Sequence, residues 1–263
     1  MKKIKNLILK KNKSKIVCLT AYSYNISKIL DKHCDLILVG DSLGSVLYNY
    51  SSTREVSLNT MIEHSKSVRK GIKKSMMVVD MPFGTYKTKS LALKNAKLIM
   101  MKTKCDAVKL EGGEKILPII KNLIKNKIPV MGHLGILPQT DKKFTFKGKR
   151  TNESKKIIKD AKLLESVGVF SIVLECVEGN LSKKITKLID IPTIGIGSSV
   201  HCDGQVLVTD DLLGLNQTNL KFVKKYTDLN KIINKSILNY KQDVKSKKFP
   251  KSQQSFFKKI NPL

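Results

Sequence analysis

Four carboxylic acids, a lysine and a histidine lie at or just past the ends of short apolar runs. Leu36–Val39 leads into Gly40-Asp41-Ser42-Leu43-Gly44, and Met76–Val79 into Asp80-Met81-Pro82-Phe83. Ala107–Leu110 carries Lys109 and runs into Glu111-Gly112-Gly113. Pro129–Met131 precedes Gly132-His133-Leu134-Gly135, and Ser171–Leu174 precedes Glu175-Cys176. Oxygen donors without clustered His or Cys select a hard cation, and Mg²⁺ typically takes one or two carboxylates, several waters and oxygens of its substrate. Asp41, Asp80 and Glu111 fit such a site, directly or through water. A cation held this way can chelate a 2-oxo acid through its keto and carboxylate oxygens and acidify the neighbouring C–H. Lys109 would neutralise the substrate carboxylate. Glu175 ends an apolar strand, where burial would raise its pKa and suit it to accept a proton. The reaction class is enolisation of a 2-oxo acid followed by carbon–carbon bond chemistry.

Each residue also has a purely structural reading. Asp41, followed by Ser and Gly, has the pattern of a helix cap as much as of a ligand. The Met-Pro-Phe after Asp80 argues against a simple cap. Lys109 and Glu111 are two apart on one strand and share a face, so they could form an internal salt bridge that fills the interior. Glu175 could be a paired structural glutamate. His133, on residue type alone, reads first as a buried, hydrogen-bonded core histidine.

The elements that must position these groups alternate regularly. Ile16–Leu19, Leu36–Val39, Met76–Val79, Ala107–Leu110, Pro129–Met131, Ser171–Leu174 and Thr193–Ile196 are short, nearly continuous apolar runs, with Val206–Val208 a weaker eighth. Such runs suit parallel strands covered on both faces. Between them lie helical patterns. Thr60-Met-Ile-Glu63 reads as a capping box before the stripe Met61, Ile62, Ser65, Val68, Ile72; Thr88 can cap a second helix; Glu153–Val167 carries Ile157, Ile158, Ala161 and Leu164 on one face and stops at Gly168. The basic start reads as a surface helix or a frayed end, and residues 220–245 as helical with a polar tail. The expectation is one α/β domain over residues 1–263: a (β/α)8 TIM-type barrel with parallel strands, an N-terminal helix and a helical C-terminal region. An open doubly wound sheet is the alternative, weakened because no GxGxxG or Walker loop follows a strand. In a barrel all these strand ends meet at one mouth.

Composition narrows the function classes. The chain has 263 residues, 41% hydrophobic, so it can bury a sizeable core and is not a disordered chain. Lys and Arg total 50 against 21 Asp and Glu, a net charge of +29. That charge invites a nucleic-acid reading, but Arg occurs only at 54, 69 and 150, the lysines are dispersed, and there is no Trp. Bidentate phosphate and base contacts favour Arg, and single-strand binders interleave aromatics with basic residues. Lysine-rich drift accounts for the charge without a specific nucleic-acid partner. The cysteines at 18, 34, 105, 176 and 202 are scattered and odd in number. They read as reduced thiols of a cytoplasmic protein rather than a zinc site. No apolar run approaches a membrane span.

The strings VGDSLG (39–44), VDMPFG (79–84), VKLEGG (108–113), GHLGILPQ (132–139), VLEC (173–176), IPTIGIG (191–197) and CDGQVLV (202–208), in that order and spacing, resemble the ketopantoate hydroxymethyltransferase family, as does Leu19-Thr20-Ala21-Tyr22. The resemblance runs from about Ile16 to the C-terminal region. It implies a (β/α)8 barrel, a homodecamer, one Mg²⁺ per subunit, and the first committed step toward pantothenate and coenzyme A. That step transfers a hydroxymethyl group from 5,10-methylenetetrahydrofolate to 3-methyl-2-oxobutanoate, giving 2-dehydropantoate. By matching motif, Asp41 and Asp80 would bind the metal and approach the oxo acid, Glu111 would complete the metal shell, Ser42 and Lys109 would bind the oxo acid, and Glu175 would be the proton acceptor. The stretch Thr140–Arg150 departs from the family pattern: it is shorter and has fewer glycines. A related Mg²⁺-dependent lyase or mutase acting on another 2-oxo acid is the competing enzyme reading.

Overall fold

The computed structural model describes residues 2–141 and 145–257. The chain divides into two compact units, Met1–Thr209 with Leu220–Val223, and Asp210–Asn219 with Lys224–Leu263. In the first, eight strands close into a parallel barrel in sequence order: β1 (Ile16–Thr20), β2 (Leu36–Val39), β3 (Met76–Asp80), β4 (Ala107–Glu111), β5 (Val130–Gly135), β6 (Ser171–Glu175), β7 (Thr193–Ile196) and β8 (Gly204–Leu207). The helices are α1 (Lys2–Ile8), α2 (Tyr24–Leu30), α3 (Leu43–Tyr48), α4 (Leu58–Gly71), α5 (Lys89–Thr103), α6 (Leu117–Lys125), α7 (Thr151–Ser166), α8 (Gly179–Leu188), α9 (Thr209–Leu212) and α10 (Leu229–Lys245). The closed barrel settles the choice against an open sheet.

Alternation along the strands makes two cores. Ile37, Val39, Met77, Val79, Val108, Leu110 and Ile172 pack outward with helix residues such as Met61, Val68, Ala96, Ile99, Ile120 and Leu164. Leu36, Leu38, Met76, Val78, Ala107, Met131, Val173 and Ile194 form the other cluster, filling the barrel. Ile4 and Leu7 of α1 join that inner cluster. The N-terminal segment is therefore neither frayed nor merely superficial: Ile4 and Leu7 are buried with the barrel interior, and Ile8 packs partly buried against them.

Four details differ from the sequence expectation. β3, β4 and β6 each run one residue past the apolar stretch, so Asp80, Glu111 and Glu175 are still in the ladder. β5 begins at Val130 because Pro129 has no N–H to donate; its carbonyl instead accepts from Val108. The cap of α4 is Ser57, whose Oγ accepts from Thr60 N at 3.0 Å, so Thr60 is inside the helix. The C-terminal helix starts only at Leu229, where Asp228 caps it by accepting from Lys231 N. Thr88 caps α5 through Leu91 N, and Gly168 (φ +95°) follows α7, both as the pattern predicts. Among the described residues no helix is long and apolar enough to cross a membrane.

One buried carboxylate ties α2 to the start of β3. Asp31, at the C-terminus of α2, accepts from Lys73 N (2.9 Å), Lys74 N (2.9 Å) and Ser75 N (2.8 Å). Burial alone would raise its pKa, but these N–H groups outweigh it and hold the carboxyl below its ordinary value. A lowered pKa contributes stability above the unfolded value, lost as pH falls through the folded one. Asp31→Ala should therefore cost about 2–4 kcal/mol near neutrality, since charged acceptors leave several donors unpaired when removed. Urea melts should show the gap between variant and parent shrinking below about pH 4. A gap that stays constant with pH would show that the charge is not what stabilises this junction.

Candidate active site

The inward alternation that packs the lower barrel continues upward with polar residues. Met76 and Val78 are followed by Asp80; Ala107 by Lys109 and Glu111; Met131 by His133; Val173 by Glu175. Register then sets them side by side: Asp80 pairs with Lys109, Glu111 with His133, and Gly135 with Glu175. Asp41 follows β2 directly. All of the site residues expected from sequence thus gather at the C-terminal ends of neighbouring strands.

The contacts are direct. Lys109 Nζ lies 3.3 Å from Asp80 Oδ1 and 3.0 Å from His133 Nδ1. His133 Nδ1 is 3.6 Å from Glu111 Oε1, and His133 Nε2 is 3.2 Å from Glu175 Oε2, close but not well aligned as a hydrogen bond. Asp80 Oδ2 accepts from Asp41 N at 3.1 Å. Ser42 Oγ and Tyr22 Oη are 2.8 Å apart. Asp41, Asp80, Lys109, Glu111 and His133 are all buried, while Glu175 keeps 14% of its side-chain surface exposed. His133 is a buried, partnered histidine as its residue type suggests, yet its partners are the site itself.

Two glycines make the arrangement possible. A Cβ on Gly40 would sit 2.8 Å from Ser42 Oγ and 3.5 Å from Asp80 Oδ2, filling the space beside the carboxylate. Gly135 has φ +100°, and a Cβ there would come 2.1 Å from the Glu175 carbonyl oxygen.

Electrostatically, the site holds more buried acid than base. Burial pushes the Asp41 carboxyl up to about 7, and neighbouring Asp80 adds to this; Lys109 and Gln139 pull the other way. Burial also raises Glu111 well above its usual range, opposed chiefly by Lys109. For Lys109, burial favours loss of the proton, but Asp80, Glu111, Asp41 and Glu175 overcome it, so the ammonium is retained. Burial and the Lys109 charge lower His133, leaving a neutral imidazole at pH 7. Its Nδ1 therefore accepts from Lys109, which places the ring proton on Nε2, toward Glu175.

This donor set suits a hard cation. Asp80 Oδ1 is buried and meets the Lys109 ammonium at 3.3 Å without an aligned hydrogen bond, and beside it burial opposes ionisation of Asp41. Among the described residues, no three His, Cys, Asp or Glu converge as a complete metal cage. Two carboxylates completed by waters and substrate oxygens remain the geometry Mg²⁺ commonly accepts. Glu111 is already engaged: its Oε2 accepts from Gln139 N at 3.0 Å. A contribution from Glu111 would be made through Oε1 directly or through water.

Gln139 is the residue that sequence reasoning passed over, although it closes the string GHLGILPQ. It is buried, and its Nε2 donates to Asp41 Oδ2 at 2.7 Å. A glutamine in a loop carries no signal of such a role until its neighbours are known. Of the departing stretch 140–150, residues 142–144 lie outside the described residues. Lys147 bridges to Val177 beyond β6, with Lys147 N donating to Cys176 O.

With the geometry in place, three comparisons bear on it. A sequence model of the family described as ketopantoate hydroxymethyltransferase matches residues 2–252. A 3-methyl-2-oxobutanoate hydroxymethyltransferase of Pelagibacter ubique is 65% identical over 97% of this chain and 99% of its own. The enzyme of the same name from Rhizobium etli is 48% identical over 92% and 90%. Among solved structures, a phosphoenolpyruvate phosphomutase from Streptomyces platensis superposes with TM-score 0.63 at 8% identity, covering 93% of this chain and 87% of that one. A phosphonopyruvate hydrolase in complex with oxalate and Mg²⁺ superposes with TM-score 0.59 at 9% identity, covering 79% and 81%. At such identities these two share the fold alone.

Proposed function

The chain belongs to the ketopantoate hydroxymethyltransferase family, and from that premise we propose how its site carries out hydroxymethyl transfer to 3-methyl-2-oxobutanoate. The proposed donor is 5,10-methylenetetrahydrofolate and the proposed product 2-dehydropantoate, with one water consumed overall and tetrahydrofolate released. The step serves pantothenate and coenzyme A formation. The observation that carries the reading is the line Lys109–His133–Glu175, which sets a fixed cation and a carboxylate on either side of one imidazole, beside Asp80 and Asp41.

Asp41 and Asp80 would hold Mg²⁺, with Glu111 acting directly or through water. When bound, the ion supplies Lewis-acid polarisation of the C2 carbonyl, which acidifies C3–H. Lys109, kept protonated by the surrounding acids, neutralises the substrate carboxylate. Ser42, whose Oγ meets the Tyr22 hydroxyl, would donate to the same carboxylate. Glu175 takes the C3 proton; the C–H electron pair becomes the C2=C3 bond of the enolate. Water adds to the methylene carbon as its C–N bonds break, releasing tetrahydrofolate and a one-carbon unit at the formaldehyde level. The C2=C3 pair of the enolate then forms the C–C bond to that carbon, whose C=O pair moves onto oxygen, and the proton held by Glu175 completes the hydroxyl while the C2 carbonyl is restored. His133 Nε2–H faces the Glu175 carboxylate at 3.2 Å and would favour its ionised form, the form that accepts a proton.

The chain also presents an uncovered apolar stripe. Ile233, Ile237, Tyr240 and Val244 recur at helical spacing on α10, and all are exposed, as are Ile232 and Leu238. Such a face favours association. A second copy of the chain is the proposed occupant, in a homo-oligomer that the family resemblance makes a decamer.

Three outcomes test this reading. Asp80→Ala should abolish the Mg²⁺ dependence of 3-methyl-2-oxobutanoate binding measured by calorimetry; retained dependence would remove Asp80 from the metal site. Glu175→Gln should still bind the oxo acid, while its C3–H exchange in D2O, followed by NMR, slows by about 10²–10⁴-fold. Exchange at the parent rate would assign the base elsewhere. Ile237→Lys should lower the assembly mass seen by light scattering, and an unchanged mass would mean that this stripe is not the contact.

A further inference from the structure

Gln139 makes more connections in the site than any single role assigned so far requires. It lies in the loop after β5, yet only 1% of its surface is exposed. Its side-chain Nε2 donates to Asp41 Oδ2 (2.7 Å) and to the Met81 carbonyl (3.0 Å), while its main-chain N–H donates to Glu111 Oε2 (3.0 Å). Its Oε1 accepts from the Tyr86 hydroxyl. One residue thereby joins the ends of β2, β3 and β4 from a loop that belongs to none of them.

The Met81 carbonyl, which accepts but never donates, favours one orientation of the amide. Reversed, its oxygen would face a carboxylate and a carbonyl, neither of which can donate unless Asp41 is protonated, and its NH2 would face a hydroxyl. Tyr86 donates to the amide oxygen, and burial with the nearby Glu111 raises its phenol well above the ordinary range, so it keeps the proton it donates. A carboxylate fixed at Oδ2 by a strong, short contact cannot swing about its terminal bond. Metal-ligating carboxylates depend on such outer partners for their orientation.

We propose that Gln139 is the positioning residue of the site: its side-chain amide fixes the Asp41 carboxylate and its main-chain N–H fixes that of Glu111, so both acids meet a divalent cation already oriented. Tyr86 acts through Gln139 by locking the amide. The inference rests on the reading that Asp41 and Asp80 hold the cation, and it adds a residue that no ligand assignment contains.

The test is a titration of the full-length, substrate-free protein with Mg²⁺ by calorimetry and with Mn²⁺ by electron paramagnetic resonance. Gln139→Met keeps side-chain length and removes both side-chain donors, leaving the main-chain N–H to Glu111. It should weaken cation binding by about 10–100-fold, with a melting temperature close to that of the parent. Tyr86→Phe, which touches neither Asp41 nor the cation, should weaken it by a smaller factor. The double variant should be no weaker than Gln139→Met, because Tyr86 works only through the amide. A Gln139→Met protein that binds both ions within twofold of the parent would overturn the inference, as would multiplicative losses in the double variant. Should Gln139→Met fail to fold, Tyr86→Phe decides alone, and parental affinity there overturns it. A parent that binds no divalent cation, with or without the oxo acid, would instead remove the cation reading of Asp41 and Asp80 and this inference with it.

Discussion

A buried ammonium among too many buried acids governs this structure. Lys109 sits in the barrel interior with Asp80 at 3.3 Å, and the fields of Asp41, Glu111 and Glu175 also reach it. One positive charge cannot balance these carboxylates, and a low-dielectric interior makes the surplus costly. The fold tolerates it by fixing three of the four acids with donors: Asp80 by the Asp41 N–H, Glu111 by the Gln139 N–H, and Asp41 by the Gln139 amide. What those donors leave uncompensated is negative charge, which the divalent cation of the proposed reading would neutralise.

Rigidity beneath the site makes this arrangement tenable. The lower interior is filled by Leu36, Leu38, Met76, Val78 and Met131, and α1 adds Ile4 and Leu7 to the same cluster. A packed interior holds its strands in register, and register decides which polar residues become neighbours one layer higher. Sliding β4 by one residue against β3 would carry Lys109 out of the interior and leave Asp80 facing a hydrophobic side chain. The Asp31 clamp at the foot of β3 contributes to the same end, since it fixes where that strand begins.

On the proposed reading, the site removes a weakly acidic proton and presents the resulting carbanion to an electrophile. The imidazole of His133 links the two charged groups such chemistry needs, accepting from Lys109 on one side and facing Glu175 on the other. Neutrality is its useful property. An imidazolium would repel Lys109 and pair with the base, whereas a neutral ring orients both and competes with neither.

Much of this was written in the sequence. The apolar runs, their number and their interruption by helical patterns dictate a parallel α/β barrel, because strands buried on both faces must be short and apolar. The eighth strand was faint for a physical reason: Gln205 and its partner Val17 are exposed, so β8 shows only half of the usual pattern. Asp80 as a ladder residue also escaped, because polarity normally ends a strand, and only an interior that needs charges keeps it paired. Motif order identified Asp41, Ser42, Asp80, Lys109, Glu111 and Glu175 as a group. Closure of the barrel decided what the linear order could not: which acid touches which base, that His133 belongs to the site, and that Gln139, 98 residues from Asp41, holds its carboxylate. Residue type and local periodicity encode an element and the face it buries, but a hydrogen bond between distant loops exists only once the sheet has curved round to bring them together.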